Sequence, residues 1–127
     1  MRVIGIGIDI ADPVRFGRLL ARGGDRFRDR WFTPEEIARC VGVPEPELAF
    51  ALHYAAKEAV WKALHPPSWR DPLPWRDIVI LGDLSRCSAS ARLTGRALAL
   101  AGRSRTIRVT GSIVRHMAVA SAIVEGD

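Results

Sequence analysis

The run from Glu47 to Leu64 constrains this chain more than any other stretch. It holds no glycine or proline and is rich in alanine and leucine, so it reads as one helix. Pro44 and Pro46 stand before it, and Pro66-Pro67 stop whatever follows Leu64. At 100° per residue, Leu48, Leu52, Ala55, Ala56, Ala59 and Ala63 fall on one face. Phe50, Tyr54 and Trp61 form a second apolar stripe roughly opposite. A helix with two apolar faces must be covered on both, by its own core and by a further layer, for which a neighbouring subunit is one candidate. Glu58 and Lys62 share the narrow strip between the stripes, a partly dry seam in which a charge needs a partner.

Composition sharpens this. Of the 19 lysine-plus-arginine side chains, all but Lys57 and Lys62 are arginine. Lysine offers a compact ammonium with three rotatable donors, which the planar arginine fork does not. Spacing alone does not go beyond an ordinary i, i+4 surface pair of Glu58 with Lys62, contributing a few tenths of a kcal/mol.

A chain of 127 residues predicts a single domain, 1–127. With 48% hydrophobic and 26% charged residues it has ordinary globular chemistry. No apolar run approaches the roughly 20 residues that span a bilayer, so no membrane is expected. Asp9 and Asp12 interrupt the opening strand too early for a signal peptide. Cys40 and Cys87 have no metal spacing and predict reduced thiols in a cytoplasmic protein. A formal charge of +5 calls for an acidic partner: nucleic acid, a phosphorylated small molecule or an acidic protein.

Val3 to Ile10 reads as a strand ending at Asp12-Pro13, a helix start with proline in the first turn. Gly5 and Gly7 leave one face of that strand nearly bare, open to close approach by another backbone or a ligand. Asp9 shares their face, as either a solvated strand end or a site residue. No glycine-rich turn opens the next helix, so the dinucleotide fingerprint is rejected. Val14 to Ala21 reads as a short helix, with Arg15, Arg18 and Arg22 on a shared face that is either solvated or a docking surface for acid. Gly23-Gly24 ends it, and Arg26 to Trp31 reads as a second helix. Thr33-Pro34-Glu35-Glu36 starts a third, reaching about Cys40. His65 to Trp75 reads as a loop. Strands follow at Asp77 to Leu81 and Ala91 to Leu93, then a helix from Thr94 to Ala101. Thr106 to Val114 and Met117 to Val124 read as a hairpin turning at Arg115-His116. The class is α+β, a small antiparallel sheet with one long central helix and short N-terminal helices.

Three blocks carry a resemblance over nearly the whole chain: Gly5-Ile6-Gly7-Ile8-Asp9-Ile10 with Arg15-Phe16; Arg26-Phe27 through Arg30-Trp31-Phe32-Thr33-Pro34-Glu35-Glu36; and Ala55-Ala56-Lys57-Glu58-Ala59-Val60-Trp61-Lys62-Ala63. In order and spacing they resemble the holo-acyl-carrier-protein synthase family, the small trimeric 4′-phosphopantetheinyl transferases. The third block is specific; a strand ending G-x-G-x-D alone is not. The resemblance implies an enzyme that moves the phosphopantetheine arm of coenzyme A onto a serine of an acyl carrier protein, releasing adenosine 3′,5′-bisphosphate. By the match, Asp9 and Glu58 would hold Mg²⁺, two carboxylates suiting a hard octahedral ion, and Lys62 would reach the pyrophosphate. Lys57 would serve either structure or the nucleotide phosphates. Arg15, Arg18 and Arg22 would meet the acidic carrier protein, which accounts for the basic balance without nucleic acid. The family's homotrimer would place each site between subunits, explaining the two-faced helix and the bare glycine strand.

Some positions depart from the family's pattern. His53 stands where arginine is usual. Arg86-Cys87-Ser88 replaces a Gly-Lys-Pro turn near the coenzyme's phosphates, and Thr110-Gly111-Ser112-Ile113 replaces a Ser-x-Ser-His block. The resemblance implies that His53, Arg86 and Ser112 contact the nucleotide half of coenzyme A. The alternative is a weak or inactive relative that binds carrier proteins as a subunit of a biosynthetic assembly. A nucleic-acid-binding domain rests on charge alone, since the arginines are not interleaved with the exposed aromatics of single-strand platforms.

Overall fold

The computed structural model describes residues 1–67 and 73–127. Its sheet is five-stranded and antiparallel throughout. Edge strand β1 (Arg2–Ala11) pairs with the last strand, β5 (Met117–Gly126). Next come β4 (Arg105–Val114), β3 (Ala89–Leu93) and the far edge β2 (Ile78–Leu81). The helices are α1 (Pro13–Trp31), α2 (Pro34–Val41), α3 (Pro46–Ala63) and the short α4 (Gly95–Ala101). The expected α+β class and the element order match. Residues 68–72 of the expected loop lie outside the described residues. Arg115 and His116 both take positive φ, 49° and 65°, as a two-residue hairpin of the primed type requires.

The long helix α3 lies directly on β1. A Cβ added at Gly5 would fall 1.9 Å from the Ala63 carbonyl oxygen, and one at Gly7 would fall 1.9 Å from that of Ala59. The bare strand face therefore admits a helix backbone of the same chain, which answers what the two glycines are for. Gly7→Ala is expected to cost about 2–3 kcal/mol by overpacking, read by urea denaturation; a variant as stable as the parent would mean that α3 yields freely.

The other side of α3 is covered by aromatic rings. Phe50 meets Phe32 at 5.1 Å between centroids. Tyr54 meets Phe16 and Trp31, each at 5.1 Å, and Trp75 at 5.6 Å. Much of both apolar stripes is thus buried within one chain, while Leu48, Leu52 and Tyr54 stay half-buried. What stays open is the outer face of β1, where Ile6, Ile8 and Ile10 are about three-fifths exposed, at 61%, 59% and 58%.

Within α1 the backbone at Gly24 is not helical, so α1 is two helical limbs meeting at a kink, as the expected stop at Gly23-Gly24 and the separate helix up to Trp31 require. α2 begins with a capping box: Thr33 Oγ1 accepts from the Glu36 backbone N–H at 3.3 Å, and Glu36 Oε1 accepts from the Thr33 N–H at 2.9 Å.

Candidate active site

Strand alternation turns Asp9 to the same side as Gly5 and Gly7, toward α3. Because nothing separates strand from helix there, Lys62 on α3 reaches Asp9. Its Nζ donates to Asp9 Oδ1 at 2.7 Å and to the Ile8 carbonyl oxygen at 3.0 Å. The Asp9 side chain is 10% exposed, and its Oδ2 is buried without a hydrogen-bond partner. Glu58 lies one turn before Lys62 and presents its carboxyl to Asp9. Burial first, then the adjacent Asp9 carboxyl, pushes Glu58 up to about 7, against the opposite pulls of Tyr54 and Lys62.

Two carboxyl groups are therefore crowded together in a half-dry seam with one ammonium beside them. The orphaned Oδ2 and the raised Glu58 both mark a place where more positive charge belongs. Among the described residues no third His, Cys, Asp or Glu joins the pair. That donor set fits Mg²⁺, which takes one or two carboxylates and fills its shell with waters and substrate phosphate oxygens.

Beside Glu58 opens a cleft of about 390 Å³, lined by Arg15, Phe16 and Leu19 of the first limb of α1, Phe27 and Trp31 of its second limb, and Tyr54 of α3. Arg15, Arg18 and Arg22 are all exposed, and none is tied into an ion pair among the described residues. The aromatic lining of this cleft is not legible from local sequence. Phe27 and Trp31 are far from Tyr54 in the chain, and only the break in α1 brings them over.

The remaining expected contacts lie elsewhere. Lys57 is fully buried, and its three ammonium hydrogens go to Glu36 Oε1 at 2.7 Å, the Trp75 carbonyl at 2.8 Å and the Ile78 carbonyl at 2.7 Å. An ammonium so enclosed has no hydrogen left for a nucleotide phosphate, so the phosphate option for Lys57 is corrected to the structural one. His53 sits against α2, its Nδ1–H donating to the Ala49 carbonyl at 2.9 Å, with Cys40 Sγ 3.5 Å away. Burial, its main influence, pushes His53 below the ordinary histidine range. With Nδ1 committed to Ala49 and burial opposing its charge, His53 offers less positive charge than an arginine would there. Arg86 is exposed and lies 3.5 Å from Asp83. Its turn docks on β4, where Thr110 Oγ1 lies 3.5 Å from the Leu84 carbonyl. Ser112 follows two residues on. Its neighbour Gly111 faces α3, since a Cβ there would meet Leu52, and it shares a row with Asp9 through Ala120. Ser112 therefore points to the opposite face of the sheet from Asp9, and within one chain the two do not meet.

Residues 5–109 match the model of the 4′-phosphopantetheinyl transferase superfamily. The chain is 36% identical over 122 residues to a holo-[acyl-carrier-protein] synthase of Geobacter sulfurreducens, an alignment covering 96% of this chain and 95% of that one. The crystal structure of the Neisseria meningitidis synthase superposes with a TM-score of 0.77 at 28% identity, covering 98% and 99% of the two chains. The Helicobacter pylori synthase, solved in complex with coenzyme A, gives 0.77 at 25% identity over 94% and 99%. The chain belongs to the holo-[acyl-carrier-protein] synthase family of that superfamily.

Proposed function

We propose that this chain transfers the 4′-phosphopantetheine arm of coenzyme A to a serine of an acyl carrier protein, with Mg²⁺ held by Asp9 and Glu58. The convergence of Asp9, Glu58 and Lys62 carries the proposal. The serine oxygen bonds to the phosphorus bearing the pantetheine arm. The bond from that phosphorus to the bridging oxygen breaks, adenosine 3′,5′-bisphosphate leaves, and the serine proton passes to solvent. Lys62 steadies charge on the pyrophosphate oxygens as that bond opens. Asp9 and Glu58 would hold the ion, which would supply neutralisation of phosphate charge, the main demand of phosphoryl transfer. Arg15, Arg18 and Arg22 meet the acidic carrier and guide its serine toward Glu58.

The chain works as a homotrimer on this reading. Exposed isoleucines in a row on an edge strand are unusual for a monomer, and a second copy seated there brings its own surfaces to the outer face, where Ser112 lies. Arg86 and Ser112 serve the nucleotide half of coenzyme A from that side. Among the described residues no helix is long and apolar enough to cross a membrane. Both cysteines are free, in keeping with the reducing cytoplasm.

The test is mass spectrometry of apo carrier proteins incubated with coenzyme A and Mg²⁺. A gain of one arm that EDTA prevents is expected; no gain on carriers of fatty-acid, polyketide and peptide synthetases together counts decisively against transfer. Ile8→Asp is expected to shift the sedimenting species from trimer to monomer; an unchanged trimer would clear the β1 face of any part in assembly. Carrier binding without transfer is the second reading, favoured by the enclosure of Lys57 and the neutral His53. Calorimetry that detects carrier binding but no coenzyme A binding would select it.

A further inference from the structure

We infer that Gly24 is a positioning residue for carrier docking, because the break it makes in α1 builds the aromatic wall of the cleft beside Glu58. The inference rests on the reading that the carrier docks on α1.

Gly24 has φ 55° and ψ −144° inside an otherwise helical run. An L side chain strongly disfavours that conformation, whereas glycine enters it freely. Without the break, residues 25–31 would continue along the axis of residues 13–23, rising about 1.5 Å per residue. With it, the second limb folds back toward the first limb and α3. Phe27 packs edge-on to Phe16 at 5.8 Å. Trp31 reaches Tyr54 at 5.1 Å and stacks on Trp75 at 5.2 Å with 19° between planes. The cleft thus has Arg15 and Phe16 from the first limb, Phe27 and Trp31 from the second, and Tyr54 and Glu58 from α3.

This arrangement separates two duties. Asp9, Glu58 and Lys62 are carried by β1 and α3, so the carboxylate pair does not depend on the second limb. The wall does. A carrier whose serine reaches Glu58 lays its neighbouring apolar side chains against that wall while its acidic groups meet the arginines. Buried aromatic contacts of this kind supply much of the energy of an interface. Position 24 therefore governs how well the carrier is held, and reaches the carboxylate pair only at second hand, through Tyr54.

The geometry also supplies a clean pair of variants. A Cβ at position 24 would meet nothing within 4 Å, so an L-alanine there is opposed by backbone conformation and not by crowding. The sign-reversed dihedrals are polyproline-like, so a D-alanine adopts the native break without strain. Both can be made by ligating a synthetic segment of residues 1–39 to the remainder at Cys40. The L-alanine chain is expected to show a carrier KM raised about tenfold, a conformational penalty of ordinary size, and a weakened near-ultraviolet dichroism band from the Trp31–Trp75 stack. Its KM for coenzyme A and its Mg²⁺ requirement stay at parent values. The D-alanine chain is expected to match the parent in every respect. A parent-like carrier KM in the L-alanine chain overturns the inference. So does a D-alanine chain as impaired as its L counterpart. A parent that neither binds nor modifies carriers overturns the transferase reading and the docking role with it; the dichroism band separates that failure, since it reports the break directly.

Discussion

Glu58→Gln is expected to lower the transfer rate by about 10²–10³-fold, the usual consequence of removing one preorganised charge from a phosphoryl-transfer site. Glutamine keeps the size of the side chain and its place beside Tyr54 and Asp9, so the loss reports charge and not packing. The same substitution is expected to leave the metal-free fold as stable as the parent, or more so. In the parent, burial and the Asp9 carboxyl both oppose the charge on Glu58 and push it up to about 7; glutamine has no charge to oppose. Mg²⁺ should raise the melting temperature of the parent in a saturable way, and Glu58→Gln should largely abolish that rise. Since Glu58 holds a proton near neutrality when no cation is present, metal uptake must displace it. The apparent affinity for Mg²⁺ is therefore expected to weaken as pH falls below about 7. A glutamine variant that transfers at a near-parent rate, or still gains the full Mg²⁺ stabilisation, removes Glu58 from the site.

Much of this constellation was legible before any coordinates. Alternation along β1 put Gly5, Gly7 and Asp9 on one face, and the 3.6-residue period put Glu58 and Lys62 one turn apart. A bare strand face and a helix of small residues are complementary shapes, and their contact sets Asp9 against Lys62. Local signals were also sufficient for the start of α2, where Thr33 and Glu36 cap reciprocally. What could not be read was anything decided by contacts distant in sequence. Whether Lys57 turned outward to a phosphate or inward to Glu36 depends on where α2 and β2 pack, which no helical wheel contains. The charge of His53 was out of reach for a similar reason: its burial and the Ala49 carbonyl bear on it, and only the fold supplies them. The two-faced α3 lies on β1 with one side and under aromatic side chains of the same chain with much of the other, leaving Leu48, Leu52 and Tyr54 half-buried. The apolar surface left over was instead the isoleucine row of β1, facing away from the helix.

The largest stability effect is expected from Lys57, the buried one of the chain's two lysines. Lys57→Met should cost about 3–5 kcal/mol, the loss typical when one member of a buried ion pair is removed, lowering the melting temperature by roughly 10–20 °C. The cost comes from what remains. Glu36 stays fully buried without its cation, and the Trp75 and Ile78 carbonyls lose their donor. Burial alone would drive Lys57 neutral, so the pair stands only because Glu36 and the two carbonyls answer the ammonium. Glu36 is itself fixed by the Thr33 and Ile80 backbone N–H groups, at 2.9 Å each. The lysine thereby ties α3, through α2, to β2 and to the segment before it. Glu36→Gln placed on the Lys57→Met background should recover part of the loss, since it removes the stranded charge while keeping an acceptor for those donors. Rates per folded molecule should separate this role from ligand contact. If Lys57 only holds the fold together, the methionine variant assayed well below its melting point retains the parent's KM for coenzyme A. A raised KM with an unchanged melting temperature would return Lys57 to the nucleotide phosphates.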